Sequence, residues 1–470
     1  MNRFKELTKN TLIITIGRVS TQLITFLLLP LYTALLSTSE YGIVDLLSTL
    51  VQLFIPIISL MIDQGTFRYL LSCTDESNKK TIISSSFLLL SLLNLIFIII
   101  YLILMIFIES NYKIWLLLII VVTAYSNLFL QISRGLKKTT DYAVGSFICS
   151  TSIIILNVIC LVLLSMGATG MIFSIFVGNC LCCIFLFFKL KIYKYLSFKS
   201  FDKKVVKDIV KYSVPLVPNQ LSIWIMNSSD KLIVSYFLGT SANGILAISH
   251  KFPAIFMTFF NIFLLAWHES GTVHFNDKDK DKFFSDMFDM MLTFFSTICI
   301  GIIVVLPLVF NLLINNNYFE AYYNIPIYVI ANIFNVVIGI LGVVYVATKK
   351  TSEIAKTTIL SAVLNIIINV LLINKIGLYA ASISTFISYL IAMVYRLYDS
   401  KKYLSLSFNY RNIILIFVVT VISTILYYLR NNLISWIFLL FFILIALYLN
   451  KAMLKSFLQM FKERKQNKWS

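Results

Sequence analysis

The 470-residue sequence predicts an all-α polytopic membrane protein, with two pseudo-symmetric six-helix lobes followed by two further helices. Three observations carry that reading. Hydrophobic residues make up 59% of the chain and charged residues 13%, against about 45–50% and about 25% in soluble domains. Apolar runs of membrane-spanning length recur from one end to the other. And the turn LLSTSEYGI (Leu35 to Ile43) returns as FLGTSANGI (Phe237 to Ile245), matching at Leu36/Leu238, Thr38/Thr240, Ser39/Ser241, Gly42/Gly244 and Ile43/Ile245.

A bilayer is spanned by about 17–25 apolar residues. Runs that meet this lie at 11–36, 42–63, 81–108, 114–133, 142–165, 170–188, 212–238, 244–266, 284–313, 322–347, 357–373, 377–395, 412–429 and 433–450, which is about 14 spans. The run after Asn10 is too long for a cleavable signal and lacks an A-x-A-like end. The spans divide into an N-lobe at 1–195, a C-lobe at 196–400, and a segment at 401–470 with the last two helices and a basic tail. A basic linker, 189–211, joins the lobes. The last two spans carry nothing ionisable and are expected at the periphery.

Charge placement sets the direction of the spans. The net charge is +18, and on a soluble protein it would suggest nucleic acid. Here the basic residues fall in alternate loops, among them Arg68, Lys79, Lys80, Arg134, Lys137, Lys138, Lys349, Lys350, Arg396, Lys401 and Lys402. The outer loops keep only Lys113, Lys375 and Arg430. This bias places both termini in the cytoplasm and removes the nucleic-acid reading. The seven cysteines are odd in number and sit mostly in apolar runs, so neither disulfides nor a metal site is expected, and no cofactor motif is present. Outer turns such as Ser37 to Tyr41 are too short to hold a catalytic domain.

Polar residues inside the spans form stripes. Thr15, Arg18, Gln22 and Thr25 share one face of the first helix, as Gln220, Trp224, Asn227 and Lys231 do in the seventh. The repeat offset superposes these two stripes. The second span carries Asp45, Ser48, Gln52, Ser59 and Asp63 and is expected to bend near Pro56; the eighth carries Lys251, Thr258 and Asn261. A central Arg, Lys or Asp costs about 2.5–3.5 kcal/mol on an insertion scale, so such faces are expected to line a wet cavity between the lobes rather than meet lipid. The plainer alternative is that Arg18, Lys231 and Lys251 snorkel to the headgroups and that the acids are structural or interfacial. Asp230, Asp45 and Asp63 are the candidate coupling-ion acids. Pro30, Pro56, Pro215, Pro218 and Pro253 concentrate in the two repeated helix pairs, where kinks would serve gating. Amide rows at Asn324, Asn332, Asn335 and at Ser361, Asn365, Asn369 read as interhelical hydrogen bonding. Duplicated halves with polar stripes at mid-membrane are the plan of a secondary transporter.

Two segments add a resemblance. LPLYTALLSTSEYGIVDL (Leu29 to Leu46) and YSVPLVPNQLSIWIMNSSDKLIVSYFLGTSANGILAISHKF (Tyr212 to Phe252) resemble the bacterial polysaccharide exporters, the O-antigen and capsule flippases of the multidrug/oligosaccharidyl-lipid/polysaccharide superfamily. The resemblance implies two lobes in a V around a central cavity, and transfer of an undecaprenyl-pyrophosphate-linked oligosaccharide to the outer leaflet of the bacterial plasma membrane. A pyrophosphate is polyanionic, and Arg18, Lys231 and Lys251 would offset its desolvation in passage. A polysaccharide polymerase and a chain-length regulator are the protein partners such a role implies. A lipid II flippase and a multidrug/cation antiporter of the same superfamily remain alternatives, with a membrane polymerase or ligase more remote. An antiporter of organic cations would need an acidic or aromatic cavity, and a polymerase a sizeable outer loop.

Overall fold

A computed structural model describes residues 24–107, 109–451, 453 and 455. The described chain is helical throughout, and twelve of its helices are long and apolar enough to cross a membrane. The protein is a multi-pass membrane protein. In chain order the helices are α1 (Leu29–Leu35), α2 (Thr38–Ser59), α3 (Ile62–Ser72), α4 (Glu76–Leu104), α5 (Lys113–Gly135), α6 (Thr139–Val158), α7 (Gly167–Lys189), α8 (Ile192–Tyr195), α9 (Lys203–Ser213), α10 (Leu216–Val273), α11 (Lys280–Leu313), α12 (Ala321–Ala347), α13 (Thr351–Ile376), α14 (Tyr379–Ser400), α15 (Tyr410–Leu429) and α16 (Asn432–Leu449). Helix α10 is broken at Gly239, whose φ of 86° lies where glycine alone is unstrained. That break separates the seventh and eighth expected spans.

The contacts divide the chain into two compact units, Met1–Ser235 with Gly239–Gly244, and Tyr236–Leu238 with Ile245–Ser470. In the first unit, α2 starts with a reciprocal cap. Ser37 Oγ accepts from Glu40 N at 3.2 Å and Glu40 Oε2 accepts from Ser37 N at 2.9 Å, satisfying two donors the helix leaves open. Pro56 lies buried inside α2, and the chain leaves the helix shortly after it, at Leu60 and Met61, with φ of 48° and 56°. At that break Ser59 Oγ accepts the Met61 N–H at 3.3 Å, giving the backbone a partner outside the helical ladder.

The unit's core gathers Ile83, Leu128, Ile132, Leu186 and Ile192 from α4, α5, α7 and α8. The basic stretch 189–211 is folded rather than a plain tether. Ser84 Oγ donates to Tyr195 O and accepts from Ser197 N, while Ser85 Oγ accepts from Asp202 N at 3.1 Å. Helix α9 then buries Ile209 and Ser213 against Gly65, leaving its lysines outward.

In the second unit, Phe295 packs edge to face against both Phe256 and Phe260, with the Phe260 and Phe295 centroids 4.9 Å apart. Trp267 Nε1 donates to Ile340 O at 3.0 Å. The amide rows do join helices: Ser382 Oγ donates to Asn324 Oδ1 at 2.9 Å and Asn365 Nδ2 to Thr385 Oγ1 at 3.0 Å. Helix α15 is bolted to α12 by a reciprocal pair. Tyr322 OH donates to Tyr427 O at 2.8 Å, Tyr427 OH to Tyr322 O at 2.7 Å, and the rings stack at 4.1 Å.

Arg396 corrects the sequence reading. It was expected in an inner loop, but it lies inside α14 and is 4% exposed. Its guanidinium finds the Ile338 carbonyl and the Thr357 hydroxyl, which makes burial tolerable. Helices α4 and α16 instead expose apolar side chains such as Ile99, Ile103, Leu440 and Leu444, the surface that lipid would cover.

Candidate functional site

The repeated turns meet each other. Thr38 Oγ1 lies 2.6 Å from Ser241 Oγ, and Ser39 Oγ lies 2.9 Å from Thr240 Oγ1. Thr38 and Thr240 are repeat equivalents, as are Ser39 and Ser241, so each bond is the other's symmetry mate. The two glycines follow the same rule. A Cβ on Gly42 would overlap Thr240 O, and one on Gly244 would overlap Thr38 O. Only Cα atoms that carry no side chain let the two backbones approach so closely.

Beneath this clasp, α2 and the first arm of α10 run antiparallel with polar cross-links. Lys231 Nζ donates to Asp45 Oδ1 at 2.9 Å. Asn243 Nδ2 donates to Gly42 O at 2.9 Å and stands 3.5 Å from Asp45 Oδ2. About two helical turns further along α10, Trp224 Nε1 donates to Thr49 O at 3.0 Å. The Asp45–Lys231 side chains are 13% and 17% exposed. At that burial each charge needs the other, since a lone one would face a desolvation cost of several kcal/mol.

The other sequence candidates are distributed as follows. Thr15, Arg18 and Gln22 lie outside the described residues. Thr25 is half-buried, Gln52 and Asn227 are exposed, and Gln220 is half-buried, all in the first unit. Asp230 is 4% exposed, and its Oδ1 accepts the Lys231 N–H at 2.9 Å. Asp63 opens α3 and accepts from Gln64 Nε2 at 2.7 Å, away from the Asp45 pair in the chain. In the second unit Lys251 is half-buried, Thr258 Oγ1 donates back to Ala254 O at 2.9 Å, and Asn261 is exposed. Among the five prolines, Pro56 and Pro253 are buried within helices; Pro30 and Pro218 stand in first turns, where a missing N–H costs nothing, and Pro215 lies in the turn before α10. Among the described residues no group of three or more His, Cys, Asp or Glu side chains is placed to hold a metal ion.

Each unit also carries an apolar groove. The first, about 840 Å³, is lined by Leu50, Phe54, Phe97 and Tyr101, with Lys113 at α5's start. The second, about 1010 Å³, is lined by Phe334, Phe386, Leu390 and Phe417, with Lys401 just past the end of α14. Sequence reasoning missed both grooves, and it missed Arg396. Grooves leave no mark in periodicity because their walls are ordinary apolar residues.

Comparison with known proteins extends these findings. The family model described as polysaccharide biosynthesis protein matches residues 7–267. Among solved structures the chain is similar to the lipid II flippase MurJ in an inward closed conformation, with a TM-score of 0.71 and 16% identity over 96% of this chain and 100% of that one. It is also similar to an inward-facing multidrug resistance MATE family transporter, with a TM-score of 0.66 and 14% identity over 83% of this chain and 97% of that one. A transporter of the same superfamily from Pyrococcus furiosus, reported with reversed polarity in its binding pocket, gives 0.56 and 12% over 84% and 95%. At such identities the likeness speaks for the fold. No curated protein sequence matches the chain. With more than half of its length matched by that family model, and with this helical architecture, the chain belongs to the polysaccharide biosynthesis protein family and has the fold of the multidrug/oligosaccharidyl-lipid/polysaccharide exporter superfamily.

Proposed function

We propose that the protein is a flippase of the bacterial plasma membrane that carries an undecaprenyl-pyrophosphate-linked oligosaccharide, the repeat unit of a surface polysaccharide, from the inner to the outer leaflet by alternating access. The family match is the observation that carries this reading. The basic residues within the spans agree with it: a pyrophosphate crossing a low-dielectric layer needs cations, and an organic cation would be repelled by them. The Lys231–Asp45 pair refines the role of Lys231. With the turns clasped, Asp45 neutralises the lysine; parting of the turns would free it for the departing phosphate. Arg18 would meet the headgroup first. The apolar groove of about 1010 Å³ beside Lys401 has the lining a polyprenyl tail requires. A repeat-unit polymerase and a chain-length regulator would act on the product.

Transfer of lipid II is a second reading, favoured by the similarity to MurJ over nearly the whole chain. It shares the same chemistry of carrier and pyrophosphate. Deleting the gene and identifying the polyprenyl-pyrophosphate saccharide that accumulates on the inner leaflet separates the two. Accumulation of a polysaccharide repeat unit with loss of surface polymer supports the first; accumulation of lipid II supports the second. Neither accumulating, with loss of drug tolerance instead, would overturn both.

A further inference from the structure

The apolar groove of the first unit takes no part in the transfer proposed above. Every residue that lines it belongs to that unit. Its volume is about 840 Å³, within the range of about 300–1,000 Å³ common for sites that enclose a small ligand. Along α4 it runs from Leu93 to Leu104, about 16 Å of helix rise, and along α2 from Ile43 to Ile58, about 22 Å. One leaflet of the hydrocarbon core is about 15 Å deep, so a lipid chain can lie in the groove along the helices. Ile96, Ile100 and Leu104 are exposed, which leaves a way in from the side. The walls are fixed. Phe97 packs against Phe54 and Tyr101, with centroids 6.3 and 5.5 Å away, and Tyr101 OH donates to Lys113 O at 2.8 Å.

One end of the groove is polar. Ser110, Asn111, Tyr112 and Lys113 follow one another there, between the end of α4 and the start of α5. Lys113 Nζ donates to Met105 O at 3.2 Å, which holds the ammonium over the end of α4. The half-buried Tyr112 hydroxyl has no hydrogen-bond partner among the described residues. Glu109, the nearest acid in the chain, is exposed and does not line the groove. A hydroxyl, an amide, a phenol and an ammonium can all donate to phosphate oxygens. A single lysine matches the one charge of a phosphodiester, whereas a pyrophosphate would need more. The same end carries the clasp. Thr66 Oγ1 donates to Ser86 Oγ at 2.8 Å and Phe54 packs on Phe97, so α2 and α3 run antiparallel to α4. Ile43 therefore reaches the end where Leu104 and Lys113 stand. Thr240 lines the groove beside it, and Thr240 Oγ1 is the atom 2.9 Å from Ser39 Oγ. Thr240 forms part of the wall because the turns are joined.

We propose that this groove binds an anionic glycerophospholipid, with its phosphate at Tyr112 and Lys113 and one acyl chain along α2 and α4, and that the bound lipid steadies the clasp. A ligand shifts an equilibrium only by binding one state better than the other. Here the joined turns complete the site, so the lipid favours the joined state. The binding stands apart from the transported substrate; the effect on the clasp rests on the alternating-access reading.

The test uses the full-length protein taken from nanodiscs of phosphatidylglycerol mixed with phosphatidylcholine. Native mass spectrometry should show phosphatidylglycerol retained severalfold over phosphatidylcholine. Lys113→Gln still offers a donor to Met105 O but loses the charge, and should bring the two lipids level; Lys113→Arg should keep the preference. Ile100→Trp fills the groove from an exposed position and should lower retention of both lipids. A Thr38→Cys/Ser241→Cys protein should cross-link severalfold faster in phosphatidylglycerol nanodiscs than in phosphatidylcholine, and adding Lys113→Gln should erase that difference. Equal retention of the two lipids in the unaltered protein would overturn the site. So would a preference undiminished by Lys113→Gln and Ile100→Trp, or a polyprenyl phosphate retained in place of the phospholipid. Selective retention with equal cross-linking rates would overturn the effect on the clasp. Transfer of a lipid-linked saccharide is measured separately in proteoliposomes; its absence while selective retention persists would count against the flippase reading and leave the site standing.

Discussion

Lys231 and Asp45 stand 2.9 Å apart, on helices α10 and α2, and join the two segments that the internal repeat had marked as equivalent. An intramembrane lysine that the sequence offered as a free cation is therefore held by an acid that it offered as a separate ion site. The pair makes one device out of two candidates. It lies just below the clasped turns, where the opening proposed above would release the charge.

Breaking the pair from one side should be worse than removing it whole. Lys231→Met or Asp45→Leu alone strands a mostly buried charge, and the loss should approach about 3–5 kcal/mol. The double variant should recover a large part of it. Thermal midpoints of the four proteins in detergent form the cycle that checks this. Additive losses would mean the charges do not act on each other.

The two glycines of the clasp should tolerate no side chain. Gly42→Ala and Gly244→Ala each drive a methyl into the opposite turn's carbonyl, Thr240 O or Thr38 O. Both should weaken the contact between Thr38 and Ser241. A Thr38→Cys/Ser241→Cys protein, whose replaced oxygens lie 2.6 Å apart, should cross-link readily under a mild oxidant and lose export until reduced. Adding either alanine should slow the cross-link severalfold. Unchanged rates would show that the glycines have room.

Trp224 offers a way to separate packing from hydrogen bonding. Trp224→Phe keeps most of the ring but leaves the Thr49 carbonyl without its donor, and should cost about 1–3 kcal/mol. Trp224→Ala should cost about 3–5 kcal/mol. Urea or thermal unfolding in detergent measures both. Equal costs would mean that the Nε1 bond carries nothing.

The tyrosine pair predicts how α15 is held. Tyr427→Phe removes the donor to Tyr322 O while the ring stays stacked, and should cost about 1 kcal/mol. The Tyr322→Phe/Tyr427→Phe protein should lose more and should expose α15 to limited proteolysis at the 400–409 connection. Unaltered cleavage would show that apolar packing alone seats the helix.

Much of this was legible from residues alone. Span-length apolar runs marked nearly every helix, because in lipid the backbone can satisfy itself only as a helix or a closed barrel. The helix end after α2, at Leu60 and Met61, carries no glycine or proline of its own to mark it, and a side-chain bond from Ser59 supports it. Arg396 was read as a loop residue, because a lone arginine near a span's end looks the same whether it reaches water or folds back onto Ile338 O.

Composition, spacing and the returning turn determined by themselves that this is a duplicated helical membrane protein with polar stripes in matching places. Those properties depend on neighbours in the chain and on what lipid permits. Only the tertiary structure decided which residues meet: Lys231 with Asp45, Thr38 with Ser241, Arg396 with Thr357. Such meetings join residues far apart in sequence. They are set by how closely helices approach, which the missing side chains of a few glycines control and which no periodicity records.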